Sequence, residues 1–151
     1  MSEAVGQRGA GSGSCGYDTF PVTADWGIRA WGRDPAEVFV SAARALWSFL
    51  VVPGSARRER MLPVQVESAD LETLLVAWLN EMLYIHEVQE FVAADFAVRS
   101  LTSTRLHGEV WGEQMDRSRH VPVGHVKAVT YHQLQVCETP TGWEARVVVD
   151  V

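Results

Sequence analysis

The sequence predicts an α+β fold: a single domain in which two amphipathic helices pack on a mainly antiparallel β-sheet. Two apolar stripes with helical spacing occupy the first half of the chain, and segments with β-strand character fill most of the second half. A Thr-Pro-Thr-Gly turn at residues 139–142 joins the last two of these segments as a hairpin. Elements in this order bury the helix stripes against the sheet, and 151 residues suit one domain.

The first predicted helix begins at Asp34 and Pro35, because an aspartate can cap the helix and proline suits its first position. Its apolar residues recur at helical spacing until Pro53 and Gly54 end the pattern. This stripe consists of Phe39, Ala42, Ala43, Leu46, Phe49 and Leu50.

The second predicted helix follows a strand through Val64 and Val66, and either Ser68 or Asp70 caps it. Its stripe holds for four turns and consists of Leu71, Leu74, Leu75, Trp78, Leu79, Met82 and Ile85. Five of the six tryptophans lie inside predicted elements, where we expect them to pack in the core. They are Trp31, Trp47, Trp78, Trp111 and Trp143.

The remaining strands are predicted over residues 28–31, 96–101, 104–111, 125–138 and 143–151. In the last strand Ala145, Val147 and Val149 alternate with Arg146 and Asp150. The aspartate therefore projects from the face opposite the valines.

Residues 1–16 are rich in glycine and serine and are predicted to form a disordered tail before a domain at residues 17–151. The first residues lack the features of a secretory signal, and no apolar run is long enough to span a membrane, so we expect a cytoplasmic protein. The two cysteines, Cys15 and Cys137, form no metal-binding pattern and are expected to be free thiols.

The net charge of −6 repels nucleic acid, so any role with RNA should be indirect. The chain has no phosphate-binding glycine loop and no nucleophile elbow. None of the five histidines is spaced for zinc, and His132, in the strand predicted over residues 125–138, is interpreted as structural.

Carboxylates at the two ends of the domain are the candidate metal ligands. If the chain ends at Val151, its α-carboxylate lies close to Asp150, and this pair is either solvated at a frayed end or neutralised by a divalent cation. Asp25, at a turn entering the first predicted strand, would supply a third anionic group if the fold brought it to the same place. The sequence pattern leaves these alternatives open.

Several blocks of residues 17–151 together resemble the archease family. They are TADWGIRAWG at 23–32, WLNEMLY at 78–84, GE at 112–113 with His120, VKAVTYH at 126–132 and VVDV at 148–151. The resemblance implies a metal-binding protein cofactor, without catalysis of its own, that activates an RtcB-type RNA ligase in tRNA splicing and RNA repair by promoting its guanylylation and turnover.

The resemblance also implies the ligands of a divalent cation, Ca²⁺, Mg²⁺ or Mn²⁺. The matching positions are Asp25, Asp150 and the terminal residue Val151. One departure is visible, because the family commonly has histidine before the Thr-Ala-Asp block and this chain has Val22. His120, Lys127 and His132 match family blocks without an assigned role.

Two other functions stay open at this point. One is a chaperone or specificity modulator of RNA-modifying enzymes such as a tRNA methyltransferase, in which the metal would serve stability. The other is a metal-dependent hydrolase that uses the carboxylate cluster.

Overall fold

A computed structural model describes residues 14–151, which form eight strands and two helices. In chain order these are β1 (Gly16–Val22), β2 (Asp25–Gly32), α1 (Pro35–Ser48), β3 (Arg60–Glu67), α2 (Leu71–Glu87), β4 (Phe91–Leu101), β5 (Arg105–Gln114), β6 (Ala128–Val129), β7 (Gln135–Thr139) and β8 (Gly142–Asp150).

Both helices begin at the kind of residue that the sequence predicts. The Asp34 carboxylate accepts a hydrogen bond of 2.9 Å from the backbone N–H of Glu37, with Pro35 in the first turn of α1. Asp70, rather than Ser68, caps α2: its carboxylate accepts from the Thr73 N–H at 2.8 Å, and the Thr73 hydroxyl completes a capping box. These local bonds satisfy N–H groups that a helix start leaves free.

The strands form two antiparallel sheets, and the helices lie between them. The larger sheet has the order β1-β2-β8-β6, with β7 also paired to β8, and the smaller has the order β3-β5-β4. α1 contacts β2 of the larger sheet and β4 of the smaller, and α2 likewise contacts both sheets. The α+β prediction is confirmed, and the second sheet explains why α1 buries residues on most of its circumference.

β8 is the central strand of the larger sheet, with β2 on one side and β6 and β7 on the other. Ala145, Val147 and Val149 point into the core, as their alternation predicts. Arg146 and Asp150 project from the opposite, outer face of the sheet.

The long strand predicted over residues 125–138 is wrong. The structure has two separate strands there, β6 and β7, joined by a turn that contains His132 and Gln133. Gln133 has a positive φ of 55°, which interrupts an extended backbone. His132 is therefore exposed in a turn and does not lie in a strand.

The expectation that five tryptophans pack in the core holds for three of them. Trp47 and Trp78 are buried, and Trp143 packs partly buried against the core. Trp31 and Trp111 instead lie on outer sheet faces, where the alternation of their strands places them and where Arg29 and Arg58 stack on the rings at 4.8 and 4.6 Å.

Most of the tail predicted at residues 1–16 lies outside the described residues. Gly16, the last of its residues, begins β1, a strand that the sequence analysis does not predict. Cys15 and Cys137 are free thiols, as expected. Over residues 14–151, neither helix is long and apolar enough to cross a membrane.

Candidate metal site at the strand ends of the larger sheet

The two aspartates of the predicted site are neighbours across the sheet. β2 and β8 pair with Trp26 opposite Val149, so the same register places Asp25 opposite Asp150. Side chains that are directly opposite each other in an antiparallel pair lie on the same face, with Cβ atoms about 5 Å apart. The fold thus brings together two residues from opposite ends of the sequence.

The same row of the sheet continues on both sides of this pair. Val22 pairs with Asp25 across β1 and β2, and Ala128 pairs with Asp150 across β6 and β8. Val22, the residue at which this chain departs from the histidine that the family resemblance implies, therefore lies next to Asp25. The row reads Val22, Asp25, Asp150, Ala128.

Val151 follows directly after this row and is partly exposed. The N–H of Lys127 donates to the backbone oxygen of Asp150 at 2.7 Å, which ties the end of β8 to the segment before β6. If the chain ends at Val151, its α-carboxylate lies one residue beyond the aspartate pair, as the third anionic group.

Neither aspartate is neutralised within the described chain. Among residues 14–151, no arginine, lysine or histidine nitrogen lies within 4.0 Å of the Asp25 or Asp150 carboxylate. Both residues are half-buried. Crowded carboxylate oxygens are the ligands that hard divalent cations prefer, so the donor set fits such an ion.

The donor set reaches three anionic groups only with the α-carboxylate. Within the described part of the chain, no group of three or more histidine, cysteine, aspartate and glutamate side chains is placed to hold a metal. A divalent cation at this place would therefore need the α-carboxylate as a third protein ligand.

The turn before Asp25 holds one strained residue. Thr23 and Ala24 link the closing pair Val22 and Asp25, and Ala24 has a φ of 64°. A residue with a Cβ adopts this left-handed conformation at a cost of about 1–2 kcal/mol. The turn therefore fixes where β2 begins, and with it the position of Asp25.

Beside the aspartate row, Phe20 covers the next pair on the outer face. A Cβ on Gly27 would overlap the Phe20 ring, so the ring lies directly on the Gly27 backbone. Val148, opposite Gly27, is fully buried although its side chain is on the outer face and lies apart from the core cluster. The Phe20 ring therefore borders the aspartate row on one side.

A second acidic group, on the smaller sheet, is neutralised by its own partners. Glu113 at the end of β5 is buried, and its carboxylate accepts hydrogen bonds from the guanidinium of Arg119 at 2.5 and 3.1 Å and from the Arg57 N–H at 2.8 Å. His120 Nδ1 accepts from the Asp116 N–H at 2.9 Å, so the proton is on Nε2, which donates to Glu113 at 2.9 Å.

These donors change the acidity of Glu113. The hydrogen bonds from Arg119, with those from the Arg57 backbone and His120, lower the pKa of Glu113 to about 2, although burial opposes them. The sequence analysis did not identify this cluster. Its signal was the Gly112-Glu113 block with His120, in which the glutamate lies at the end of β5.

The remaining family-block residues have different positions. His120 is buried and belongs to the Glu113 cluster, so its position is that of a structural residue. Lys127 is exposed and contacts Asp150 through the backbone. Asn80 of α2 exchanges two hydrogen bonds with Val129, accepting from its N–H at 3.2 Å and donating to its oxygen at 3.5 Å, and so joins α2 to β6.

Comparisons with known proteins agree with this architecture. The model of the archease protein family matches residues 17–151. Protein archease of Pyrococcus furiosus is 34% identical over 139 residues, covering 89% of this chain and 98% of its own length. Protein archease of Methanosarcina acetivorans is 37% identical over 139 residues, with 89% and 95% covered.

A solved structure has the same fold. The solution structure of Methanobacterium thermoautotrophicum protein 1598 superposes with a TM-score of 0.78 at 31% identity, covering 90% of this chain and 99% of that one.

Two helices between two antiparallel sheets, with paired aspartates at the ends of two interior strands of the larger sheet, define a class of small α+β protein with an acidic rim, the surface around Asp25 and Asp150. The matches over nearly the whole domain then specify the family. The chain belongs to the archease family.

Proposed function

We propose that this protein is a metal-binding cofactor that activates an RtcB-type RNA ligase by promoting its guanylylation and turnover. The observation that carries the proposal is the register of β2 and β8, which makes Asp25 and Asp150 neighbours on one face of the sheet. Membership of the archease family supports the choice of partner.

The residues Asp25 and Asp150, with the α-carboxylate if the chain ends at Val151, would hold the divalent cation, Ca²⁺, Mg²⁺ or Mn²⁺. When bound, such an ion supplies positive charge that offsets charge developing on phosphate oxygens during nucleotidyl transfer. The aspartates are fixed in place because both belong to paired strands, and the hairpin with Ala24 sets the start of β2.

The acidic rim also suits a partner built to bind RNA. A ligase cleft that accepts RNA carries positive charge, and complementary charge speeds the encounter of two proteins. The net charge of −6 makes direct competition for the RNA itself unfavourable. The protein would thus act on the ligase, in the cytoplasm, and touch RNA only indirectly.

The test is single-turnover guanylylation of the cognate ligase with three forms of this protein: the unmodified chain, a chain extended beyond Val151 by a short Gly-Ser peptide, and a chain with the same peptide fused before Met1. The unmodified and amino-terminally fused forms should accelerate guanylylation. The extension beyond Val151 should abolish the acceleration, because it removes the α-carboxylate.

A folded, unmodified protein that leaves the guanylylation rate unchanged would contradict the proposal. Equal acceleration by all three forms would retain the ligase as partner and remove the α-carboxylate from the metal site. Thermal denaturation of each form confirms that the comparison is between folded proteins.

A further inference from the structure

Two arginines lie opposite each other on the outer face of the larger sheet and differ in their partners. Arg29 and Arg146 are paired in the register of β2 and β8. Arg29 forms ion pairs with Asp18 at 3.0 Å and Glu144 at 3.5 Å. Arg146 has no ion pair and no side-chain hydrogen bond to any of residues 14–151, and its Nε is buried without a partner.

Lone buried polar atoms are rare in this structure. Within residues 14–151 the other two are Ser41 Oγ and Trp47 Nε1, both in α1. A guanidinium carries five N–H donors, and a buried donor left without an acceptor costs about 1–3 kcal/mol. The buried Nε–H of Arg146 is closed to solvent, so a bound acceptor could reach only its terminal Nη1 and Nη2 groups, which have no acceptor among residues 14–151.

Arg146 lies on the same outer face as the aspartates, two residue pairs or about 13 Å farther along the strands, and its guanidinium extends over the Phe20 ring. Its Cζ atom lies 4.6 Å from the centroid of the Phe20 ring, and that ring lies on Gly27. The Gly27 and Val148 pair is the next one along the outer face from Asp25 and Asp150, about 7 Å away along the strands. Stacking on Phe20 fixes the plane of the guanidinium and leaves its donors free.

Arg146 lowers the net negative charge of this region. Two aspartates and the α-carboxylate, if the chain ends at Val151, carry three negative charges, of which a divalent cation would leave one, and Arg29 with Asp18 and Glu144 carries one more. Arg146 reduces the resulting charge of −2 to −1, so it weakens the repulsion that an approaching anion meets.

We propose that Arg146 and the cation-loaded pair of Asp25 and Asp150 together form a binding site for a phosphate monoester. This inference rests on the proposed function, because it needs the cation at the aspartates. The planar guanidinium donates to phosphate oxygens in the paired geometry that arginine favours, and the cation attracts the same group. Arg146 is a binding residue in this site, and Phe20 positions it.

The test is a titration of phenyl phosphate, followed by its ³¹P resonance, with and without Mg²⁺. The unmodified protein should bind phenyl phosphate only when Mg²⁺ is present. Arg146→Gln should weaken that binding about tenfold or more, since it removes a charged donor pair. The matched control, Arg105→Gln, makes the same charge change on an exposed residue of the smaller sheet and should leave binding unchanged.

Calorimetric titration of Mg²⁺ alone separates this inference from the proposed function. Arg146→Gln should bind Mg²⁺ as tightly as the unmodified protein or up to about twofold more tightly, because a nearby positive charge is removed. A protein that binds no divalent cation would overturn both proposals. Normal Mg²⁺ binding with equal phenyl phosphate affinity in the unmodified protein and Arg146→Gln would overturn the phosphate site alone.

A second variant, Arg146→Lys, distinguishes a loss of binding from a folding defect. It keeps the charge and most of the side-chain length but loses the planar donor pair, so it should weaken phenyl phosphate binding several-fold while leaving the melting temperature unchanged. Full retention of affinity by Arg146→Lys would contradict the role given to the planar guanidinium.

Discussion

Glu113 and the aspartate row are two acidic regions of this protein, and they differ in whether residues of the chain neutralise their negative charge. Glu113 is buried and satisfied from within, by Arg119, His120 and the Arg57 backbone. Asp25 and Asp150 are half-buried neighbours without a cationic partner among residues 14–151. The Glu113 carboxylate therefore stabilises the fold. The negative charge of Asp25 and Asp150 is instead available to a ligand or a partner protein.

The largest expected effect is the loss of folding stability when Glu113 is replaced. Glu113→Ala should lower the free energy of unfolding by about 3–5 kcal/mol, because it leaves the buried His120 Nε2–H and the Arg57 N–H without their acceptor. Urea denaturation measures the change. Glu59→Ala, at an exposed glutamate 3.8 Å from Arg57, is the control and should cost less than about 0.5 kcal/mol. Similar costs for the two variants would contradict a structural role for Glu113.

The Glu113 carboxylate should also govern part of the loss of folding stability at low pH. Because the folded-state pKa of Glu113 is lowered from 4.5 to about 2, its stabilising contribution is complete above about pH 4.5 and is lost as the pH falls toward 2. The stability difference between the unmodified protein and Glu113→Gln should shrink across that range. Urea denaturation at a series of pH values measures it, and a difference that stays constant from pH 6 to 2.5 would be incompatible with the lowered pKa.

Substitutions of the two aspartates should change how much an added divalent cation stabilises the fold. Asp25→Asn and Asp150→Asn should each leave metal-free stability unchanged or slightly raised, since a like-charge neighbour is removed. Both should lose the stabilisation that the unmodified protein gains from Ca²⁺ or Mn²⁺, about 2–3 kcal/mol at a cation concentration of about 100 times Kd.

Thermal denaturation with and without cation measures this difference. Glu138→Gln, at an exposed glutamate of β7, removes the same charge and serves as control. If the aspartate variants responded to the cation as fully as this control, the metal site would have to lie elsewhere.

A smaller effect should come from Val22, which lies beside Asp25 in the row. Val22→His should tighten cation binding about three- to tenfold by adding an imidazole nitrogen, with a larger gain for Mn²⁺ than for Ca²⁺ because nitrogen ligands suit transition metals. Calorimetric titration compares it with Val22→Leu, which changes shape without adding a ligand. Equal affinities for these two variants would show that position 22 faces away from the ion.

The sequence predicted the parts of the fold that depend on short-range signals. Asp34 and Asp70 cap the helices because capping is settled within a few residues. The alternation in β8 likewise follows from its own residues, since a paired strand must bury one face. The turn at His132 and Gln133 was missed because neither residue is glycine or proline, the usual markers of such a break.

The candidate site could be predicted only as separate residues. The resemblance to the archease family supplied Asp25, Asp150 and Val151 together, but nothing in the local pattern required β2 to pair with β8, which comes more than a hundred residues later. Arg146 was assigned only to a strand face, and its isolation depends on where Phe20, Asp18 and Glu144 lie in three dimensions. Partner geometry of this kind is a tertiary property.

The side-chain amide of Asn80 acts on β6 as a neighbouring strand would, because it both accepts from and donates to Val129. β6 has only two residues, and it forms one flank of Asp150. Solvent exchange of the Val129 amide hydrogen therefore requires α2 and β6 to separate. The exchange rate of that amide hydrogen would report how often α2 and β6 separate beside Asp150. A docked partner or bound cation that holds β6 in place would slow the exchange.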